Sequence, residues 1–275
     1  MSAAALRASV ILTRPQGKNE SLARRLAAAG VPALLLPALQ IDPITHDAGA
    51  FPLPADYDLI VFVSGHAAQR YFSELSARGA MQEWPGRTLA ATVGVSSARQ
   101  LYDMARIPRT HILHPGAGGE QDSESLWCLL APRLPTMQRA LIVRGGKGRE
   151  WLGKKLEEAG LQVQRLAVYA RRPVQWTPQQ AGQFARALSA EHPCVCLLTS
   201  TESVNAVHAN VVRLGLSDAW SRSRFVVIHE RVASRLQSIL KASGKVEAPV
   251  VKICQPSDDA LFQTITLMAS LSESS

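Results

Sequence analysis

The chain repeats itself, and that duplication limits its fold more than any single motif. VILTRPQGKNESLARRLAAAG, starting at Val10, aligns with ALIVRGGKGREWLGKKLEEAG, starting at Ala140. At this constant offset of 130, Arg14 meets Arg144, Glu20 meets Glu150, Leu26 meets Leu156 and Gly30 meets Gly160. The same offset carries Pro43 onto Pro173, so LPALQIDP and LAVYARRP are equivalent as well. A second set of matches, at an offset of 135 or 136, puts Ser64 over Ser200, Ala98 over Ala233, Leu101 over Leu236 and Leu126 over Leu261. Two copies of one unit account for nearly all of the 275 residues.

Within each copy, short apolar runs alternate with longer amphipathic segments, the pattern of parallel sheets covered by helices on both faces. Strands are expected at 10–13, 33–36, 59–63, 89–93, 111–113, 140–143, 163–166, 195–198, 225–228 and 250–253. Each copy opens strand–helix–strand, passes through a proline-ended stretch, and continues with three strand–helix pairs. The expected class is therefore α/β, with two lobes of parallel sheet flanked by helices. Leu36–Pro43 and Leu166–Pro173 read as matching linkers, so the chain leaves one lobe, builds the other and returns. That gives a discontinuous lobe of 1–36 plus 175–275, a second lobe of 45–166, and linker strands 37–44 and 167–174 running antiparallel. A split into consecutive domains near residue 135 is the alternative. Pro37, Pro43 and Pro173 punctuate the linkers, whereas Pro132 and Pro135 sit in an ordinary helix-to-strand loop.

No run approaches the length a membrane helix needs, and the N-terminus lacks the regions of a secretion signal. A cytoplasmic protein without membrane association is expected, and Cys128, Cys194, Cys196 and Cys254 match neither a zinc ribbon nor a disulfide framework. The net charge of +8 suggests an anionic partner. Its arginines are scattered and aromatics are only 5%, which argues against nucleic acid.

HPGAGGEQ has Gln121 where a dinucleotide fingerprint needs its third glycine, and VRGGKGRE has no Ser or Thr after its lysine as a phosphate loop requires. Both remain strand-to-helix turns whose amides can meet an anion. FVSGHA, VGVSSA and LLTSTES set small hydroxyl residues where strands end and helices begin, at the sheet edge where open α/β folds bind ligands; helix capping is the structural alternative for each. No histidine falls into a metal or triad arrangement: His66 and His208 lie in helices, His111 and His114 bracket a strand and His229 opens a helix. Tyr169 stands out in the second linker. A phenol there can donate a hydrogen bond or a proton to a departing oxygen, or its ring can simply pack against a lobe.

In order and spacing, ILTRP, LPALQIDP, VSGHAA, VGVSSA, VRGGKGREWLGKKLEEAG with VYARRP, and LLTSTESV resemble the uroporphyrinogen-III synthase family over nearly the whole chain. The resemblance implies two α/β lobes joined by a two-stranded ladder. It also implies a cofactor-free, metal-free lyase of haem biosynthesis that cyclises hydroxymethylbilane, a linear tetrapyrrole rich in carboxylates. Water is lost, and the last ring is inverted through a spiro intermediate. Tyr169 matches the linker tyrosine that assists departure of the hydroxyl. Ser64, Ser97, Thr199 and Ser200 match cleft hydroxyls, and Arg14, Arg144 and the turn Gly145, Gly146, Lys147 to Gly148 match positions lining the substrate. Two departures stand out: Ser97 replaces the usual Thr, and VIHERVA lacks the Gly-x-x-Thr-Ala form, which leaves His229, Glu230 and Arg231 without roles. A monomer is expected, with transient contact with the upstream deaminase. The competing function is a non-catalytic two-lobed hinge protein closing on a small polyanion; a nucleic-acid-binding protein ranks third.

Overall fold

The computed structural model describes residues 9–47, 49, 51–116, 121–189, 194–242 and 249–271. In the first half the elements run β1 (Val10–Leu12), α1 (Glu20–Ala28), β2 (Ala33–Leu35), β3 (Leu39–Pro43), β4 (Leu59–Phe62), α2 (Gly65–Ala77), β5 (Leu89–Thr92), α3 (Val95–Ala105), β6 (Ile112–Leu113) and α4 (Ser123–Leu130). There follow β7 (Arg139–Gly145), α5 (Trp151–Glu158), β8 (Gln162–Pro173), α6 (Pro178–Leu188), β9 (Val195–Leu198), α7 (Thr201–Arg213), α8 (Ser217–Ser221), β10 (Arg224–Val227), α9 (Glu230–Ala242), β11 (Val251–Ile253) and α10 (Asp258–Ser270). Among the described residues no helix is long and apolar enough to cross a membrane.

The chain divides into two compact units, residues 1–40 with 172–275 and residues 41–171, so it crosses within β3 and returns within β8. The first unit holds a five-stranded sheet in the order β11-β10-β9-β1-β2, whose paired strands are all parallel. The second holds β8-β7-β4-β5-β6 in parallel, with β3 added beside β8. Ile44 donates to the Val168 carbonyl and Val174 to the Ala38 carbonyl, so β3 and β8 run antiparallel.

The internal repeat accounts for both orders. It places β7 on β1 and β8 on β2, and β4 and β5 fall on β9 and β10; with β6 and β11 as the outer strand beside β5 and β10, the two sheets share one order. The registers agree too: Val10 pairs with Ala33 and Val195, while its counterpart Ala140 pairs with Val163 and Leu59. Each sheet is therefore built from the opening strands of one copy and the closing strands of the other.

Strands covered on both faces read as continuous apolar runs, and β1, β4, β9 and β10 are buried along their whole lengths. Alternate residues feed opposite cores. In the first unit Ile11, Cys196 and Phe225 meet α6, α7 and α9, while Val10, Leu12 and Val226 meet α1 and α10. In the second, Ile60, Phe62 and Leu141 meet α2 and α3, while Leu59, Val61 and Ile142 meet α4 and α5. Two expectations change. A 3-10 turn at Arg109–His111 takes the start of the strand expected at 111–113, and the strand expected at 163–166 and the linker strand expected at 167–174 form one continuous strand, β8.

Candidate active site

Open parallel sheets bind ligands at the carboxyl ends of their strands, where the strand order reverses. In the second unit that point lies between β4 and β7, and Tyr169 of β8 comes to the same edge. The β7–β8 ladder runs in register to Arg144 opposite Ala167 and then slips, so that Gly145 pairs with Tyr169 and Val168 is passed over. A bulge of this kind re-aims side chains. Leu166, Val168 and Tyr169 all enter the same core, although Val168 and Tyr169 are neighbours that a regular strand would point to opposite faces.

The Tyr169 side chain is 3% exposed. A Cβ on Gly145 would lie 2.7 Å from its Cε2, 2.8 Å from its Cζ and 3.1 Å from its Oη, so the phenol lies directly on the Gly145 backbone. The His66 ring meets the Tyr169 ring edge-on, with centroids 4.9 Å apart. Arg171, on the same face two residues along, places Nη2 3.4 Å from the phenol oxygen and its guanidinium 5.5 Å from the ring centre. Gly146 donates its N–H to the Tyr169 carbonyl at 2.8 Å, which fixes the turn after β7 against the bulge.

The rest of this edge carries neutral polar groups. Ser64 is the N-cap of α2 and accepts from the Ala67 N–H at 3.2 Å. The Gln100 amide lies against the backbone of Gly65, where a Cβ would sit 1.7 Å from its Oε1. Gln121 lies against Gly94 in the same manner, at 3.1 Å, and Ser97 is buried in the first turn of α3. Residues 117–120 of HPGAGGEQ lie outside the described residues.

Arg144, 8% exposed, is held inside the unit: Nη1 donates to Glu150, Nε donates to the Gly145 carbonyl at 3.1 Å, and Nη2 reaches the place a Cβ on Gly148 would need. Glu150 accepts from Arg165 as well at 3.0 Å, and first the Arg144 hydrogen bond, then Arg165, holds its carboxyl below the usual range. Lys147 is exposed.

In the first unit the same edge lies between β1 and β9. Arg14 donates to Asp258 at 2.8 Å and to Asn19 at 3.3 Å, and its Nη2 is buried without a hydrogen-bond partner among the described residues. Ser200 is the N-cap of α7 in a reciprocal box: it accepts from the Ser203 N–H at 3.0 Å while its own N–H donates to Ser203 Oγ at 3.1 Å. Thr199 precedes it, half-buried. His229 accepts from the Arg231 N–H at 3.1 Å as α9 begins.

The family model described as Uroporphyrinogen-III synthase HemD matches residues 20–253. The chain belongs to the uroporphyrinogen-III synthase family. Members of that family are enzymes of haem biosynthesis. The chain is 26% identical over 266 residues to the uroporphyrinogen-III synthase of Escherichia coli strain K12, covering 94% of this chain and 99% of that one. It is 29% identical over 168 residues to the enzyme of Salmonella typhimurium. Crystal structures of a mutant uroporphyrinogen III synthase from Thermus thermophilus and of the enzyme from Helicobacter pylori share its fold. Their TM-scores are 0.56 and 0.55 and their identities 19% and 15%; each covers 95% of this chain, and 98% and 99% of the respective structures.

For a uroporphyrinogen-III synthase family member the expected residues separate by unit. Tyr169, Arg144, Gly145, Gly146, Ser64 and Ser97 gather at the carboxyl edge of the second sheet; Arg14, Thr199 and Ser200 occupy the matching edge of the first. Sequence reasoning left out His66, Gln100 and Arg171. Gly65, just past the end of β4, is a signal for Gln100 alone, since a glycine at a strand end marks a close approach of another group.

Proposed function

We propose that this chain catalyses the reaction its family is named for, closing hydroxymethylbilane to uroporphyrinogen III. The observation that carries this reading is a buried phenol, Tyr169, brought by a bulge to the carboxyl edge of a parallel sheet with the Arg171 guanidinium at its oxygen. Tyr169 donates its proton to the hydroxymethyl oxygen, which leaves as water, and the resulting azafulvene cation is attacked by the substituted carbon of the last ring. The spiro intermediate then fragments and recloses with that ring inverted, and the phenolate recovers a proton. Because uncatalysed closure gives the uninverted isomer, the protein's main task is to hold geometry.

Ser64, Ser97, Thr199 and Ser200 present hydroxyls and helix-start amides to the carboxylates of the substrate. Gly146 lets it approach the backbone next to Gly145, whose own face is covered by the Tyr169 ring, and the exposed Lys147 adds a charge. Arg14 and Arg144 shape the two strand edges. The lobes 1–36 plus 175–275 and 45–166 hinge at 37–44 and 167–174. We further propose that the protein works as a cytoplasmic monomer that receives its unstable substrate through transient contact with the upstream deaminase; sedimentation and pull-down with that deaminase test these points. The decisive assay generates hydroxymethylbilane in situ, adds the protein, oxidises the products and separates the porphyrin isomers. A dominant type III product is expected. Type I alone, at the rate of the protein-free control, overturns the reading and favours a protein that only binds.

A further inference from the structure

We propose that Gly145 and His66 are positioning residues that grip the Tyr169 ring and set where its hydroxyl points. This rests on the reading of Tyr169 as the proton donor. The β8 bulge turns the phenol onto the core side, and a ring placed there needs a surface to lie on. Gly145 provides that surface with bare backbone, since the place a Cβ would take lies only 2.7 and 2.8 Å from Tyr169 Cε2 and Cζ. Gly145 is not among the residues with positive φ, so the glycine is required for space and not for backbone conformation. His66 closes the ring from α2, in the edge-on geometry aromatic pairs favour. With the ring held at both places the hydroxyl has one direction, beside Arg171 Nη2.

The internal repeat supplies a control within the same chain. At the offset of 130, Gly145 corresponds to Pro15 and Tyr169 to Leu39; at 136, His66 corresponds to Glu202. The first unit carries none of the three parts and the second carries all of them. Packing the sheet does not require this arrangement, because the same sheet is built in the first unit without it.

A mutant cycle and a spectroscopic measurement test the proposal together. Gly145→Ala is expected to lower kcat by about ten- to a hundred-fold, the scale of a misplacement near 1 Å, with KM held within about threefold. His66→Ala is expected to lower it by about three- to tenfold on the same ground. Each change combined with Tyr169→Phe should be no slower than Tyr169→Phe alone, because the positioning residues act through the phenol. In protein labelled on its tyrosine rings, the chain's 4 tyrosines give separate NMR signals, and the one lost in Tyr169→Phe should shift in both Gly145→Ala and His66→Ala. Wild-type kcat in both variants, losses that multiply with that of Tyr169→Phe, or an unmoved Tyr169 signal would each overturn the positioning role. If Gly145→Ala fails to fold, the His66→Ala arm decides. Wild-type rate and isomer ratio in Tyr169→Phe would instead sink the underlying reading of Tyr169, an outcome the cycle reads separately.

Discussion

The two sheets of this protein agree in strand order and register, yet they part company at one edge. In the first unit the β1–β2 ladder ends at Leu12 opposite Leu35, and the chain then turns through Pro15 and Pro37. In the second, β7 continues through Arg144 to Gly145, and β8 bulges to bring Tyr169 alongside. The equivalent arginines follow suit. Glu20 accepts the Gly17 and Asn19 N–H groups, both at 3.0 Å, leaving Arg14 to reach Asp258; its counterpart Glu150 takes Arg144 instead. Duplication thus supplies two equivalent frames, and the candidate chemistry stands in the one that departs from the common pattern. A scaffold held twice by the same core can lose local symmetry at a loop edge without losing the fold.

The largest effect is expected from changing the same position in both units. Tyr169→Phe keeps the ring and its packing on Gly145 and removes the proton. It is expected to lower kcat by about a hundred- to a thousand-fold, within the range of general acid catalysis, while the thermal midpoint stays close to wild type. Leu39→Met, a volume-conserving change in the buried counterpart, should cost under about 1.5 kcal/mol of stability and leave kcat within about twofold. Side-by-side kinetics on in-situ substrate check both. Equal losses at the two positions would mean that the units contribute alike and that the chemistry is not confined to the second.

The α/β class was legible because buried parallel strands are short apolar runs whose spacing survives in the sequence, as in VILT, LIVF and VCLL. The register between the copies could be read because repeated pairs such as Glu20 and Glu150 keep their spacing even where their partners differ. β8 reads in the sequence as two segments, 163–166 and the linker strand 167–174, because it is half-exposed and its polar residues have side-chain work. Gln164 accepts from Tyr57, and Arg165 donates to Glu150 and Glu157. Tyr169 was conspicuous in sequence as an aromatic in a connector, but its seat was not, since a bulge leaves no periodic trace and His66 meets it from a distant helix. Ser64 and Ser200 were read as site hydroxyls with capping as the alternative, and in the structure both do cap their helices.

A second contrast sets the two repeat arginines against each other. Arg144 is almost fully buried with a carboxylate, a carbonyl and the Gly148 backbone around it, so Arg144→Met leaves the Gly145 carbonyl without this donor and Glu150 with Arg165 alone. Because Glu150 remains about half-exposed and can hydrate, the loss should be about 2 kcal/mol, below that of a fully buried pair. Arg14→Met removes the link to Asp258 and also an unsatisfied Nη2, so its net cost should be smaller, about 1 kcal/mol. Urea unfolding with hydrogen exchange read separately over 51–166 and 194–271 checks both size and location. A larger loss in Arg14→Met would show that the first unit relies on its arginine more than the second.

The smallest expected difference is in acid. In the second unit Glu124 is held below the usual carboxylate range by Arg149, Glu150 by Arg144, Glu157 by Arg165, Asp58 by the Gln138 and Arg139 N–H groups, and Asp122 by that of Ser125. In the first unit Glu20 is held below that range by the Gly17 N–H. Each carboxyl has a folded-state pKa below its unfolded value. Its contribution is therefore complete above the unfolded pKa, about 4 to 4.5 for Asp and Glu, and is lost as pH falls through the lower folded-state value. The second unit should lose exchange protection first as pH is taken from about 5 to about 3. Asp58 makes the point at one residue, since its Oδ2 accepts from Gln138 at 2.9 Å and Arg139 at 3.0 Å and so secures the start of β7 to β4. Asp58→Ala should cost about 1 kcal/mol at neutral pH, reduced from the buried-bond value by its partial exposure, and should leave the second unit's acid transition shallower. Protection lost first from the first unit would place the acid-sensitive contacts outside these carboxylates and reverse the contrast between the two frames.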